Sequence, residues 1–182
     1  MRVIGTVGLP GSGKGEAATV ARELGIPVVT MGDVIRAECR RRGLDPADHH
    51  GEIAQRLREE EGVTAIAERS LPLVEEALND AGTVLVDGIR SDVEVERFEE
   101  RFGEDFTLVA VTAPFDLRVE RVGVRGRDNV GDGGEALEAR DERELGFGMG
   151  AAIDRADVTV ENTGTLAAFR RRVRSILEGE RA

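Results

Sequence analysis

The stretch GTVGLPGSGKGEAA, residues 5–18, sets glycines and a lysine where a chain can hold phosphate. Gly8, Gly13 and Lys14 fit the spacing G-x-x-x-x-G-K-[ST], with Gly15 where a hydroxyl would reach Mg²⁺. Gly8, Gly11 and Gly13 permit backbone angles and close approaches that side chains block. The loop amides can then converge on an anion at the start of the next helix, where the helix dipole also favours it. Lys14 is singular by type: of the 25 basic residues it is the one lysine, the rest being arginine. A compact ammonium on a flexible stem can lie along such a loop and reach β- and γ-phosphates as a point charge, which a planar guanidinium does less well. Two further clusters carry related chemistry. TMGDVIR (30–36) puts Asp33 and Arg36 one helical turn apart, and VDGIRS (86–91) has Asp87 ending an apolar run with Arg90 just beyond.

The elements that must position these clusters alternate between strand and helix. RVIGTVG (2–8) reads as a strand, followed by the glycine loop and a helix from about 13 to 24. IPVVT (26–30) is a short strand, and helices are expected over about 33–42, 49–60 and 62–79, the last with Pro72 as a kink or boundary. TVLVDG (83–88) is a buried type of strand, Ser91 caps the helix of SDVEVERFEERF, and FTLVAVTA (106–113) is the next strand. FDLRVERVGVRGR reads as helix up to its glycines, and residues 126–150 as a mobile segment around a short helix near 135–145. DVTVEN (157–162) is the last strand before a C-terminal amphipathic helix. Five short strands separated by helices make an α/β domain, a five-stranded parallel sheet with helices on both faces. Ligands of such sheets bind at the carboxyl ends of the strands, where all three clusters lie. No repeat or interdomain linker interrupts residues 1–182, so one domain is expected.

Composition narrows the function classes. The formal net charge of −11 argues against general nucleic-acid binding, which needs a basic face. No apolar run approaches membrane-spanning length, so no membrane partner is expected. The apolar start runs straight into the glycine loop and reads as a strand, not a signal peptide. Cys39, the one cysteine, excludes an internal disulfide, fits a reducing cytoplasm, and reads as an inert packed or half-exposed thiol. His49 and His50 read as an exposed pair near a helix start, and Arg40–Arg42 and Arg170–Arg174 as solvated helix faces.

GLPGSGKGE resembles the loop of adenylate kinases and related nucleoside monophosphate kinases, G-x-P-G-S-G-K-G-T, which also has glycine directly after the lysine. The resemblance implies a P-loop nucleoside triphosphate hydrolase fold. It also implies that Gly8, Leu9, Pro10, Gly11, Ser12, Gly13, Lys14, Gly15 and Glu16 cradle the nucleotide. Glu16 departs from the family's threonine: it either brings a carboxylate close to the phosphates or points away as a first-turn acid suited to the helix dipole. TMGDVIR is similar to the family's S-T-G-D-x-x-R. This implies that Arg36 binds the acceptor phosphate and that Asp33 helps hold metal-bound water. VDGIRS looks like L-D-G-F-P-R, implying Asp87 as the metal anchor and Arg90, one residue early, as a second acceptor arginine.

RVERVGVRGRD (118–128) resembles the hinge into the family's lid, here about 121–148. By that resemblance Arg121 stacks on the donor base, and Arg125, Arg127 and, from RDERE (140–144), Arg140 meet the phosphates. The acceptor-binding helices then span about 32–80. ADVTVENTGTLAAFRRRV (156–173) looks more like the end of dephospho-CoA kinases, with Asn162 and Gly164 in a loop beside the donor base. Over almost its whole length the chain most resembles a group of small archaeal P-loop proteins of unassigned function, recognisable by GxPGSGKGE, MGDVxR, VDGIRS and RDERELxFG. The expected activity is transfer of a phosphoryl group from ATP, with Mg²⁺, to a small nucleotide acceptor. A nucleoside monophosphate is the leading acceptor and dephospho-CoA the runner-up. A nucleotide-dependent switch or ATPase with a protein partner is the third reading.

Overall fold

A computed structural model describes residues 1–126 and 136–179, with backbone alone for 124–126. The strands are β1 (Arg2–Val7), β2 (Val28–Thr30), β3 (Thr83–Asp87), β4 (Phe106–Thr112) and β5 (Val158–Glu161). They form one sheet in the order β2-β3-β1-β4-β5, and every neighbouring pair is parallel. The helices are α1 (Lys14–Glu23), α2 (Met31–Arg41), α3 (Pro46–Glu61), α4 (Ala65–Asp80), α5 (Asp92–Phe102), α6 (Phe115–Gly126), α7 (Leu137–Gly146), α8 (Met149–Asp154) and α9 (Leu166–Glu178).

Side-chain alternation along the strands divides the core in two. Val3, Val7, Val84, Val86, Leu108 and Ala110 face helices α2 to α5 and α8, whereas Ile4, Leu85, Val109 and Val111 face α1 and α9. This is the five-stranded parallel sheet with helices on both faces that the spacing of apolar runs implies. The adjacent strands β1 and β3 pair in register, Thr6 beside Asp87, and their following connections lead to opposite sides. That reversal opens a crevice above their carboxyl ends.

Several boundaries differ from the sequence expectation. Helix α4 runs through Pro72 without a break, held by buried Leu71 and Val74, so core packing outweighs the missing amide. Helix α6 continues past Gly123 to Gly126 instead of stopping at its glycines. A short helix, α8, follows α7 and begins within the last two residues of the segment expected to be mobile. Its buried Met149 and Ala152 pack beneath the sheet's carboxyl edge.

Candidate active site

The phosphate loop is shaped by glycines whose geometry admits no side chain. At Gly8, φ is 149°, and a Cβ would lie 2.3 Å from the Val111 carbonyl oxygen of β4. At Gly13, φ is 121°, and a Cβ would meet the Asn162 side-chain nitrogen at 2.5 Å. Asn162, buried after β5, donates from Nδ2 to the Ser12 carbonyl at 2.8 Å, and its backbone amide donates to Thr112 at 2.8 Å. The loop is therefore fastened to the far end of the chain. The Gly8 amide reaches Met149 Sδ at 3.3 Å, and the Ser12 hydroxyl is buried with no hydrogen-bond partner among the described residues. A buried orphan hydroxyl in a loop of this shape is suited to a ligand oxygen.

Lys14 opens α1 and folds back, donating from Nζ to the Gly8 and Leu9 carbonyls. Burial brings its pKa down to about 8 against the pull of the Asp87 and Glu144 carboxylates, while Arg90 and Arg118 add to the lowering. Asp87, at the end of β3, accepts a long 3.4 Å hydrogen bond from the Thr6 hydroxyl. Both Lys14 and Asp87 line a cavity of about 740 Å³ above the sheet. Glu16 takes no part in it: its carboxylate turns away to Arg170 of α9 at 2.7 Å. Arg170, which also pairs with Glu23, is thus a tie between α1 and α9 and not merely a solvated face.

The same cavity is lined by Arg36 of α2 and by Arg90, so the structure brings the two arginines expected at an acceptor into one cavity with the loop lysine. Neither is bare. Arg36 is held by Asp33 at 2.5 Å, and Arg90 by Glu144 of α7 at 3.0 Å. Asp33 itself is 62% exposed and is not part of the cavity wall. His50 was expected at the surface, yet it lies half-buried in the wall because α3 starts earlier, at Pro46, and turns it inward. Burial, then the charges of Arg90 and Arg36, lower its pKa. Arg58 and Glu94, neither marked out in sequence, complete this end. Arg58 lies 5.2 Å over the Phe147 ring, and burial pushes the Glu94 carboxyl up while the Arg90 amide donates to it at 2.8 Å.

On the other side stands Arg118, the residue most plainly missed by sequence reading. It is 5% exposed and donates to Pro10 of the loop at 3.0 Å, to Ala113 at 3.2 Å, and to Asp141 of α7 through two bonds of 2.8 and 2.7 Å. A signal was available: it is an arginine on the inward face of an amphipathic helix, three residues before Arg121. Arg121 donates to the Asn162 carbonyl at 2.8 Å, and one of its nitrogens is buried without a partner among the described residues. Arg140 lines the cavity together with Arg143, whereas Gly164 is exposed beyond Asn162. The Arg125 side chain and all of Arg127 lie outside the described residues.

The arginine triplet of α2 is not a uniform solvated face. Glu38, 1% exposed, is gripped by Arg41, Arg42 and Arg69, which ties α2 to α4. Among the described residues no three His, Cys, Asp or Glu side chains gather into a metal site. A magnesium ion that keeps its waters and phosphate oxygens asks for only one or two carboxylates, which Asp87 fits. No helix among the described residues is long and apolar enough to cross a membrane.

Solved structures share this architecture. The crystal structure of TT1252 from Thermus thermophilus superposes with a TM-score of 0.65 at 23% identity, covering 100% of this chain and 98% of that one. Shikimate kinase from Acinetobacter baumannii, in complex with shikimate, gives 0.59 at 19% identity over 100% and 96% of the two chains. At these identities the likeness establishes the fold alone, one that the shikimate kinase shares. The family model for the AAA domain matches residues 7–138, from the end of β1 into α7. A UPF0200 protein of Halobacterium salinarum is 64% identical over 99% of this chain and 94% of its own length. One of Methanothrix thermoacetophila is 52% identical over 98% and 97%. With matches of that identity running the length of both chains, this chain belongs to the archaeal UPF0200 family and carries the AAA domain on a P-loop kinase-like fold.

Proposed function

We propose that the protein is an ATP- and Mg²⁺-dependent phosphotransferase whose acceptor is a nucleoside monophosphate. The observation that carries this reading is the sharing of one cavity, about 740 Å³ in volume, by the loop lysine Lys14, the strand-end carboxylate Asp87 and the acceptor arginines Arg36 and Arg90. Donor and acceptor anions drawn to the two sides of such a cavity would be held for in-line transfer, and transfer of this kind is mostly positioning and charge stabilisation. The loop amides, the Ser12 hydroxyl and Lys14 would bind the donor phosphates. Asp87 would hold Mg²⁺, which neutralises phosphate charge when bound. Arg140 of α7 would stabilise charge on the moving phosphoryl group. Arg125 and Arg127 join it in this reading on sequence grounds.

Dephospho-CoA kinase is the second reading, favoured by the loop around Asn162, which follows that family's pattern and is fastened to the Ser12 carbonyl at 2.8 Å. The AAA domain match supports an ATPase switch as the third. Purified protein with ATP and Mg²⁺ should be screened against nucleoside monophosphates, dephospho-CoA and water. Formation of a nucleoside diphosphate is expected. Phosphorylated dephospho-CoA would favour the second reading, and slow ATP hydrolysis with neither acceptor modified the third.

A further inference from the structure

The carboxylate of Glu144 occupies an unusual place. It is 9% exposed, accepts from Arg90 Nη1 at 3.0 Å, and its charge also bears on Lys14 and on Arg58. A buried carboxylate paired with Arg90, in a cavity wall shared with Lys14 and Arg58, is in an anion site already filled by the chain itself, since desolvating an unpaired carboxylate would be costly. Its helix is not free to drift, because Asp141, one turn earlier on α7, is locked by two hydrogen bonds to buried Arg118. Glu94 cannot substitute at Arg90, since its carboxylate takes the Arg90 backbone amide at 2.8 Å and not the guanidinium.

We infer that Glu144 is an internal stand-in for phosphate, occupying the anion site between Lys14 and Arg90 that a phosphate monoester must take over. This rests on the phosphotransfer reading for the identity of the incoming group, but the anion site itself does not. A phosphate dianion and a carboxylate cannot share Arg90 at close range without strong repulsion. Binding therefore requires the Glu144 side chain to leave Arg90. Until that exchange, Arg90 is neutralised and small anions are kept off the transfer path. Glu144 thus sets selectivity: an acceptor must bring enough charge and enough contacts elsewhere in the cavity to displace it.

The test is calorimetric titration of the full chain with inorganic phosphate, which needs neither turnover nor an identified acceptor. Glu144→Gln should bind phosphate about tenfold more tightly than wild type, the size of effect expected when one close like charge is removed. Glu142→Gln, which removes the same charge from an exposed position on α7, should leave the affinity unchanged. Adding Arg90→Gln to Glu144→Gln should abolish the gain. If Glu144→Gln lowers the melting midpoint too far to titrate, Glu144→Asp, whose shorter arm withdraws from Arg90, should still give a smaller gain. Affinities equal to wild type at position 144, an equal gain at position 142, or a gain that survives loss of Arg90 would each overturn the inference. Failure of phosphotransfer in the acceptor screen would leave these titrations intact and would instead remove the monoester from the account.

Discussion

Arg118 and Asp141 share two hydrogen bonds of 2.8 and 2.7 Å across 23 residues of chain, while the same guanidinium reaches the Pro10 carbonyl of the phosphate loop at 3.0 Å. One buried fork thus fixes α7, which carries Arg140, Arg143 and Glu144, to the loop that carries Lys14. Removing one partner of a buried pair leaves the other uncompensated. Asp141→Asn is therefore expected to lower unfolding stability by about 3 kcal/mol. Arg118→Lys should also lose stability, because an ammonium cannot make the paired contact. Chemical denaturation measures the first, and amide exchange should show α7 opening more readily while β1 and β4 stay protected. A loss below about 0.5 kcal/mol, the range of an ordinary surface change, would mean that the fork carries no structural weight.

Lys14→Ala should abolish phosphoryl transfer and weaken ATP binding while the fold persists, since Lys14 places charge and fills no core. Lys14→Arg should fail as well, because the fork does not fit the loop. The pH dependence has a defined sign. Burial favours the neutral amine and sets its pKa near 8, so the ammonium is present below that value and lost above it. ATP affinity of the free protein should fall as pH rises through about 8, and this limb should be missing in Lys14→Ala. Calorimetric titration at several pH values reads both. An affinity flat from pH 7 to pH 10 on such titrations would disconnect Lys14 from the donor.

Glu38 offers a stability test away from the chemistry. Its carboxyl is held well below the ordinary range, chiefly by the hydrogen bond from Arg41 and then by those from Arg42 and Arg69, against the opposing effect of burial. A carboxyl with a depressed folded pKa stabilises above its unfolded value, and that contribution is lost as pH falls. Glu38→Gln should cost about 3 kcal/mol at neutral pH. The gap from wild type should narrow as the solution is acidified below the carboxylate range. Paired melting curves across pH would show this, and a gap that stays constant into acid would contradict it.

Asp33 separates the two kinase readings. A monophosphate attacks with an oxygen that is already anionic and needs placing by Arg36 and Arg90, whereas a ribose hydroxyl must lose a proton, and base catalysis is worth about 10²- to 10⁴-fold. With Asp33 exposed and bound to Arg36, Asp33→Asn should reduce kcat only modestly, and Arg36→Ala should chiefly raise the acceptor KM. Turnover of dephospho-CoA combined with a loss of orders of magnitude in Asp33→Asn would favour the second reading. Steady-state kinetics on both acceptors decides between them.

The sequence by itself determined the frame. Apolar runs of strand length, spaced by amphipathic helices, dictate a parallel sheet, and glycine spacing around a single lysine dictates an anion loop, because both depend on local backbone geometry and periodicity. Tertiary structure decided which charges meet. Nothing in the spacing of Arg118 and Asp141, of Arg90 and Glu144, or of Glu16 and Arg170 marks them as partners. They pair because the strand order carries α7 over the loop and lays α9 against α1. The inward turn of His50 followed from an early helix start, and the burial of Met149 from a helix of only six residues, too short to be stable on its own. An ionic contact in a folded chain is set by long-range packing and desolvation, and neither has a period that can be read along the sequence.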